Sequence, residues 1–220
     1  MSYQHCDVTG TTIPLPLGKV LCVGRNYMDH IQELNNAVPE QPLLFLKPST
    51  AVVPFAGGII IPEQQGECHN ELEIAVLIQQ QLTQAKPEQV TEAIWGYGLG
   101  LDLTLRDVQS QLKQLGQPWE RAKAFDGSCP LSAFVSKDNI DNPQNLDFAL
   151  TINNQLRQSG NSGLMINPII ELIAHMSQHF SLLPGDVVLT GTPKGVGPLH
   201  QGDQLSASLN SFIKVQANVI

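Results

Sequence analysis

The 220-residue chain sets 12 Lys and Arg against 20 Asp and Glu, and the net charge of −8 argues against nucleic acid or an anionic membrane as its main partner. Only 15% of residues are charged and 42% are hydrophobic, which excludes a disordered chain and allows one sizeable core, hence a single domain over residues 1–220. Four scattered cysteines lack metal-finger spacing, no apolar run approaches the ~18 residues that cross a bilayer, and no signal-peptide pattern opens the chain, so a cytoplasmic protein with reduced thiols is expected.

Val20–Val23 reads as a short apolar strand ending at Gly24, and Asn26 precedes a helical turn over Tyr27–Leu34. The polar, Pro-punctuated stretch Asn35–Pro42 should be a loop, and its place beside that turn suggests a lid. Leu43–Leu46 is a strand running into Lys47-Pro48. His69–Ile78 reads as one continuous strand, β-branched and apolar without Gly or Pro. Alternation puts Glu71 and Glu73 on one of its faces, about 7 Å apart at Cα. Like charges that close cannot both stay ionised unaided: either one is protonated or a cation lies between them, unless the face is simply a solvated edge. Beyond Glu73 that face turns apolar at Ala75 and Leu77, which weakens the solvated reading.

Pro87 opens a helix expected to reach Trp95. Asp102 is an isolated acid in the strand-like run Leu99–Leu103, and an isolated acid in such a run usually has a partner. Three carboxylates with little sulfur or imidazole beside them favour a hard ion, Mg²⁺ or Mn²⁺. Thr104 is expected to cap a helix running to Leu115, on which Arg106 and Gln109 are neighbours at i, i+3. Phe148–Ile152 and the strand after Asn153-Asn154 form a hairpin, and Pro168–Phe180 carries core-helix spacing. Pro184-Gly185-Asp186 turns into the strand Val187–Thr190, and Gln201-Gly202-Asp203 precedes the C-terminal strands. Strands outnumber helices without a βαβ rhythm, so the fold class is α+β and rich in β-structure.

Gly96-Tyr97-Gly98-Leu99-Gly100 misplaces the third glycine of a dinucleotide fingerprint, and Gly191–Gly197 does not match a P-loop. His69-x-Glu71 lacks the P-C-x-x-C of a zinc deaminase. What remains is His30 and Glu33, three apart and able to touch, either as an oriented base or as a surface pair. Lys123 lies between large apolar residues, where it is buried near charge or snorkels. Arg25, Lys47, Arg106 and Lys123 fall in the segments that hold the other candidates, a placement that suits a substrate carboxylate unless each is an ordinary solvated charge.

Six separated motifs, in order along nearly the whole chain, carry a family resemblance. They are Gly24-Arg25-Asn26-Tyr27-x-x-His30, Leu44–Pro48, His69-x-Glu71-x-Glu73, Asp102 with Arg106-Asp107-x-Gln109, Ala122–Pro130, and Thr190–Gly197. Together they resemble the fumarylacetoacetate hydrolase family, in its acylpyruvase and oxaloacetate decarboxylase branch. Asn70 stands where that branch often has His, and it should point away from the two glutamates. The resemblance implies a mixed β-roll with few short helices, a homodimer, and Mg²⁺ or Mn²⁺ held by Glu71, Glu73 and Asp102. It also implies His30–Glu33 as a water-activating dyad and Lys123 as a stabiliser of developing negative charge. Arg25, Arg106, Gln109 and Thr192 would hold the substrate.

The expected reaction is hydrolysis of a carbon–carbon bond in an acylpyruvate-type 2-oxo acid, through an enolate whose charge the metal absorbs. Oxaloacetate decarboxylation and keto–enol tautomerisation run through the same species, and hydrolysis is preferred because a His–Glu dyad has no obvious task in decarboxylation. Outside enzymology, the rival is a metal-stabilised binding module.

Overall fold

The computed structural model describes residues 3–34 and 37–220. Apolar, β-branched Val20–Gly24 forms β1, and the chain then turns at Arg25 into the six-residue helix α1 (Met28–Glu33). Asn35 and Asn36 of the expected loop lie outside the described residues, and residues 37–42 carry no regular element. There follow β2 (Leu43–Lys47), β3 (Val52–Pro54) and β4 (Gly57–Ile59).

The strand expected over His69–Ile78 is instead two, β5 (Cys68–Asn70) and β6 (Leu72–Ile78), with Glu71 at the break. The reason is tertiary. β5 pairs with β8 (Thr104–Leu105), whereas β6 pairs with β7 (Ile94–Leu101) in another sheet. Helix α2 (Pro87–Ala93) stops two residues short of Trp95, because Ile94 is already extended and pairs with Ile78. Thr104 caps nothing: it faces His69 across the β5–β8 ladder, its hydroxyl donates to the Asp102 carbonyl, and α3 (Arg106–Gln114) starts after Leu105. Pairing between strands has overridden two local helix signals.

The chain continues through α4 (Glu120–Lys123), β9 (Cys129–Leu131), β10 (Val135–Ser136), β11 (Asp147–Ile152) and β12 (Gln155–Asn161). Asn153 and Asn154 both take positive φ, 52° and 63°, as the two-residue turn joining β11 to β12 requires. Then come α5 (Ile169–His179), β13 (Val187–Leu189), β14 (Gly197–Pro198), β15 (Gln204–Leu209) and β16 (Ile213–Val219).

The largest sheet runs β2-β1-β13-β6-β7-β9-β3, with β10 also paired to β7. A second sheet runs β12-β11-β15-β16-β4, and a small one β14-β5-β8. Parallel pairs (β1 with β13, β3 with β9, β16 with β4) are mixed with antiparallel ones. With five short α-helices among the described residues, this is the β-rich α+β fold expected. Leu72, Ile74, Val76 and Ile78 from one face of β6 enter the main core with Phe148, Leu150 and α5, while Ala75 and Leu77 enter a smaller core behind the sheet. Gly96 on β7 is a close-approach position: a Cβ there would lie 2.1 Å from the Val135 carbonyl oxygen. Among the described residues, no helix is long and apolar enough to cross a membrane.

Candidate metal centre

Strand ends set the site. Glu71 sits at the break before β6, Glu73 on β6 and Asp102 just past β7, and the Asp102 amide donates to the Glu71 carbonyl at 2.8 Å. The three carboxylates are buried, and one oxygen from each lies within 4.8 Å of the others.

Their surroundings are cationic. Lys123 Nζ donates to Glu71 Oε2 and Asp102 Oδ2, both at 2.6 Å, and Arg106 donates to Glu71 Oε1 at 2.5 Å. Burial alone would raise the Glu71 carboxyl, but Lys123 and Arg106 outweigh it and hold the group well below its ordinary range. Burial would likewise lower Lys123, and Asp102 and Glu71 reverse the sign and push it up. Glu73 differs. Burial, then the charges of Asp102 and Glu71, raise it well above the usual range, against the Gly191 amide, which donates at 2.6 Å, and the Lys123 charge.

A hard divalent cation fits this arrangement on two counts. The donors are all carboxylate oxygens, and Asp102 Oδ1 accepts no hydrogen bond among the described residues. Lys47 Nζ is 2.8 Å from that oxygen, at ion-pair distance but off a hydrogen-bond line. A cation among the three acids would also offset the repulsion from Asp102 and Glu71 that raises the Glu73 carboxyl.

The cavity above the triad is small, about 40 Å³. Arg25, His30, Arg106, Gln109, Lys123 and Thr192 line it along with the acids. Arg25 lines it with φ at 63°, a left-handed conformation uncommon for a long side chain. The junction behind it is tied down by Asn26, whose side-chain amide donates to the Thr190 and Asn167 carbonyls at 2.8 and 3.0 Å. Gln109 accepts from Arg106 at 2.7 Å, the i, i+3 contact their spacing suggests.

His30 is buried, with Nδ1 3.5 Å from Glu33 Oε2 and no closed hydrogen bond at that nitrogen among the described residues. The Gly195 amide engages both Glu33 oxygens, at 3.0 and 3.2 Å. Burial lowers His30, with the Glu71 charge opposing, so the ring is neutral at pH 7.

Lys47 and Thr192, two of the expected substrate contacts, have side chains already engaged by protein partners. Lys47 is 0% exposed, does not line the cavity, and binds the Lys123 carbonyl and both oxygens of Ser128, so it backs Asp102 from inside the protein. Thr192 does line the cavity, but its hydroxyl donates to the Leu72 carbonyl and accepts from Gln158, both at 2.8 Å. Asn70 points away from the acids, as expected, and donates to Gln158 at 2.8 Å. Sequence reasoning missed Lys113, which lines the cavity beneath a cation–π contact with Trp119 at 5.7 Å. The signal was present, since residues 106, 109 and 113 share one face of α3. Wider clefts of about 370 and 710 Å³ lie elsewhere and hold none of the three acids.

Residues 19–220 match the family described as fumarylacetoacetate (FAA) hydrolase C-terminal. The chain is 51% identical over 209 residues to oxaloacetate tautomerase YcgM of Escherichia coli K12, covering 94% of this chain and 95% of that protein. Over 200 residues it is 42% identical to the human mitochondrial oxaloacetate tautomerase FAHD1, covering 91% and 90%. It superposes on the crystal structure of fumarylpyruvate hydrolase from Pseudomonas aeruginosa in complex with Mn²⁺ and pyruvate with a TM-score of 0.92 at 31% identity, covering 100% of this chain and 97% of that one.

Proposed function

The chain belongs to the fumarylacetoacetate hydrolase family, and from that premise we propose that it is a divalent-metal-dependent keto–enol tautomerase acting on oxaloacetate or a similarly small 2-oxo dicarboxylic acid. Glu71, Glu73 and Asp102 would hold Mg²⁺ or Mn²⁺. That ion would supply Lewis-acid polarisation of the 2-oxo group and its adjoining carboxylate.

The observation that carries the reading is a buried imidazole facing a cavity of about 40 Å³ that the three acids share with Arg25, Arg106, Lys113 and Lys123. Arg25 and Arg106 bind the carboxylates of a short dianion and fix the carbon chain across His30. His30 accepts the proton from C3 of the keto form and returns a proton to the oxygen on C2, so the double bond moves and no water is consumed. Lys123 and Arg106 place positive charge where the oxygen becomes negative during that transfer. The names of the two tautomerases support the same reaction.

Hydrolysis of a small acylpyruvate is the second reading, favoured by the nearness of Glu33 to His30 and by the fumarylpyruvate hydrolase likeness. The open 3.5 Å gap and the hold of Gly195 on Glu33 favour proton shuttling over activation of water. The test is an ultraviolet assay of enol oxaloacetate ketonisation, run beside acetylpyruvate and fumarylpyruvate cleavage, with Mg²⁺ or Mn²⁺ and then with EDTA. Metal-dependent acceleration of ketonisation as the dominant activity is expected. Acylpyruvate cleavage without accelerated ketonisation would replace the reading with the hydrolytic one.

A further inference from the structure

Backbone hydrogen bonds around Glu71 and Glu73 lead to a role for two side chains. Strand β13 runs beside β6 only from Val187 opposite Leu77 to Leu189 opposite Ala75. Past Leu189 its backbone diverges. Thr190 still reaches the Ile74 carbonyl, with its amide at 3.2 Å and its hydroxyl at 3.0 Å, and the next amide, Gly191, turns to the Glu73 carboxylate. Among the described residues, no strand remains to serve Leu72, the residue between the two glutamates, on that edge. A buried amide and carbonyl without partners would destabilise the strand end that carries the acids.

Two side chains take the place of the missing strand. Gln158 Oε1 accepts from the Leu72 amide at 2.8 Å, and Thr192 Oγ1 donates to the Leu72 carbonyl at 2.8 Å. They are joined to each other, since Gln158 Nε2 donates to Thr192 Oγ1 at 2.8 Å and to the Pro193 carbonyl at 3.0 Å. Asn70 Nδ2 completes the Gln158 oxygen at 2.8 Å. The Gln158 amide thus makes four hydrogen bonds, its full capacity, while 1% exposed. It comes from β12, in a different sheet from β6, so it links the two sheets at the Leu72 peptide.

We infer that Gln158 and Thr192 are positioning residues that clamp the Leu72 peptide from both sides and thereby set the spacing of the Glu71 and Glu73 carboxylates for a divalent cation. The inference rests on the metal centre proposed above. Neither side chain needs to touch the ion: each acts through the backbone between two ligands. Partners of this kind typically change metal affinity by about 10- to 100-fold when removed.

The test measures Mn²⁺ affinity by titration calorimetry and by the electron paramagnetic resonance of free Mn²⁺, both independent of turnover. Gln158→Leu is expected to raise the Mn²⁺ dissociation constant by about 10-fold or more. Thr192→Val, which removes the other half of the clamp while keeping side-chain size, should weaken Mn²⁺ in the same direction, and it carries the test if Gln158→Leu does not fold. Leu205→Ala, buried in the second sheet, serves as a control for lost stability and should leave the dissociation constant unchanged. Wild-type affinity in the clamp variants, or equal weakening in Leu205→Ala, would overturn the inference while leaving the metal centre standing. If the wild-type chain binds no Mn²⁺, the metal centre fails and the inference falls with it.

Discussion

Replacing Lys47 by Met separates a structural cation from a substrate-binding one. The Met stem fills the same buried channel, so the loss is confined to the ammonium. Of the four oxygens that lose their contact with Nζ, the Lys123 carbonyl keeps the Ser128 hydroxyl as donor, the Ser128 carbonyl keeps the Leu103 amide, and Ser128 Oγ stays engaged as the donor in the first of these bonds. The loss therefore concentrates on Asp102 Oδ1, which Lys47 neutralises at 2.8 Å. Removing one partner of a buried ion pair destabilises by about 3–5 kcal/mol, and Lys123, still on Oδ2, keeps the effect near the lower figure. For a chain of this size each kcal/mol shifts the melting temperature by about 2–4 °C, so Lys47→Met should melt roughly 6–12 °C lower. Calorimetric melting in EDTA, paired with KM for oxaloacetate in Mg²⁺, measures both quantities. A melting temperature within about 2 °C of wild type together with a large rise in KM would refute the reasoning and return Lys47 to the substrate.

His30→Asn should lower turnover by about a hundredfold or more, the usual scale of a lost acid–base group, with Mn²⁺ affinity nearly unchanged. Because burial lowers the His30 pKa, the acid limb of kcat/KM should lie below the ordinary histidine value of 6.5. The same sign applies to stability: the neutral-ring contribution is complete above about pH 6.5 and is lost as pH falls through the lowered folded value, which a series of melts across pH 4–8 would register. Glu73→Gln mimics the protonated acid that burial and its two anionic neighbours favour, so in EDTA at neutral pH it should melt higher than wild type. Its melting temperature should no longer rise on adding Mn²⁺, and a retained rise would remove Glu73 from the metal centre. Gly195→Ala places a Cβ 2.0 Å from the Arg157 carbonyl at a φ of 98°, which should destabilise by about 1–3 kcal/mol and release Glu33. Urea unfolding checks the first effect, and a shifted pH–rate profile the second.

Much of this was legible in the sequence because the decisive signals are local. The two asparagines at 153–154, the period-two acids and the i, i+3 pair Arg106–Gln109 each state their geometry within a few residues. The misses have one cause. Residues 69–78 give no sign that the strand changes sheets at Glu71, because the break is dictated by partners some thirty residues further along. Thr104 looks like a cap until His69 pairs with it. Lys47 looks like a surface cation because its oxygen partners lie 55 to 81 residues away. The clamp on Leu72 depends on a glutamine in an unremarkable stretch, and only coordinates show which peptide it meets.

The parallel ladder that sets Val20 beside Val187 has a consequence for the order of assembly. Arg25 and His30 follow the first of those strands, and Thr192 follows the second, so the two halves of the cavity wall meet only when the chain's early and late portions zip together. Contacts of such long reach form slowly. A nascent chain halted before residue 187 would carry all three acids yet lack the wall that Thr192 supplies, so ion capture can serve as a clock for the last stage of maturation.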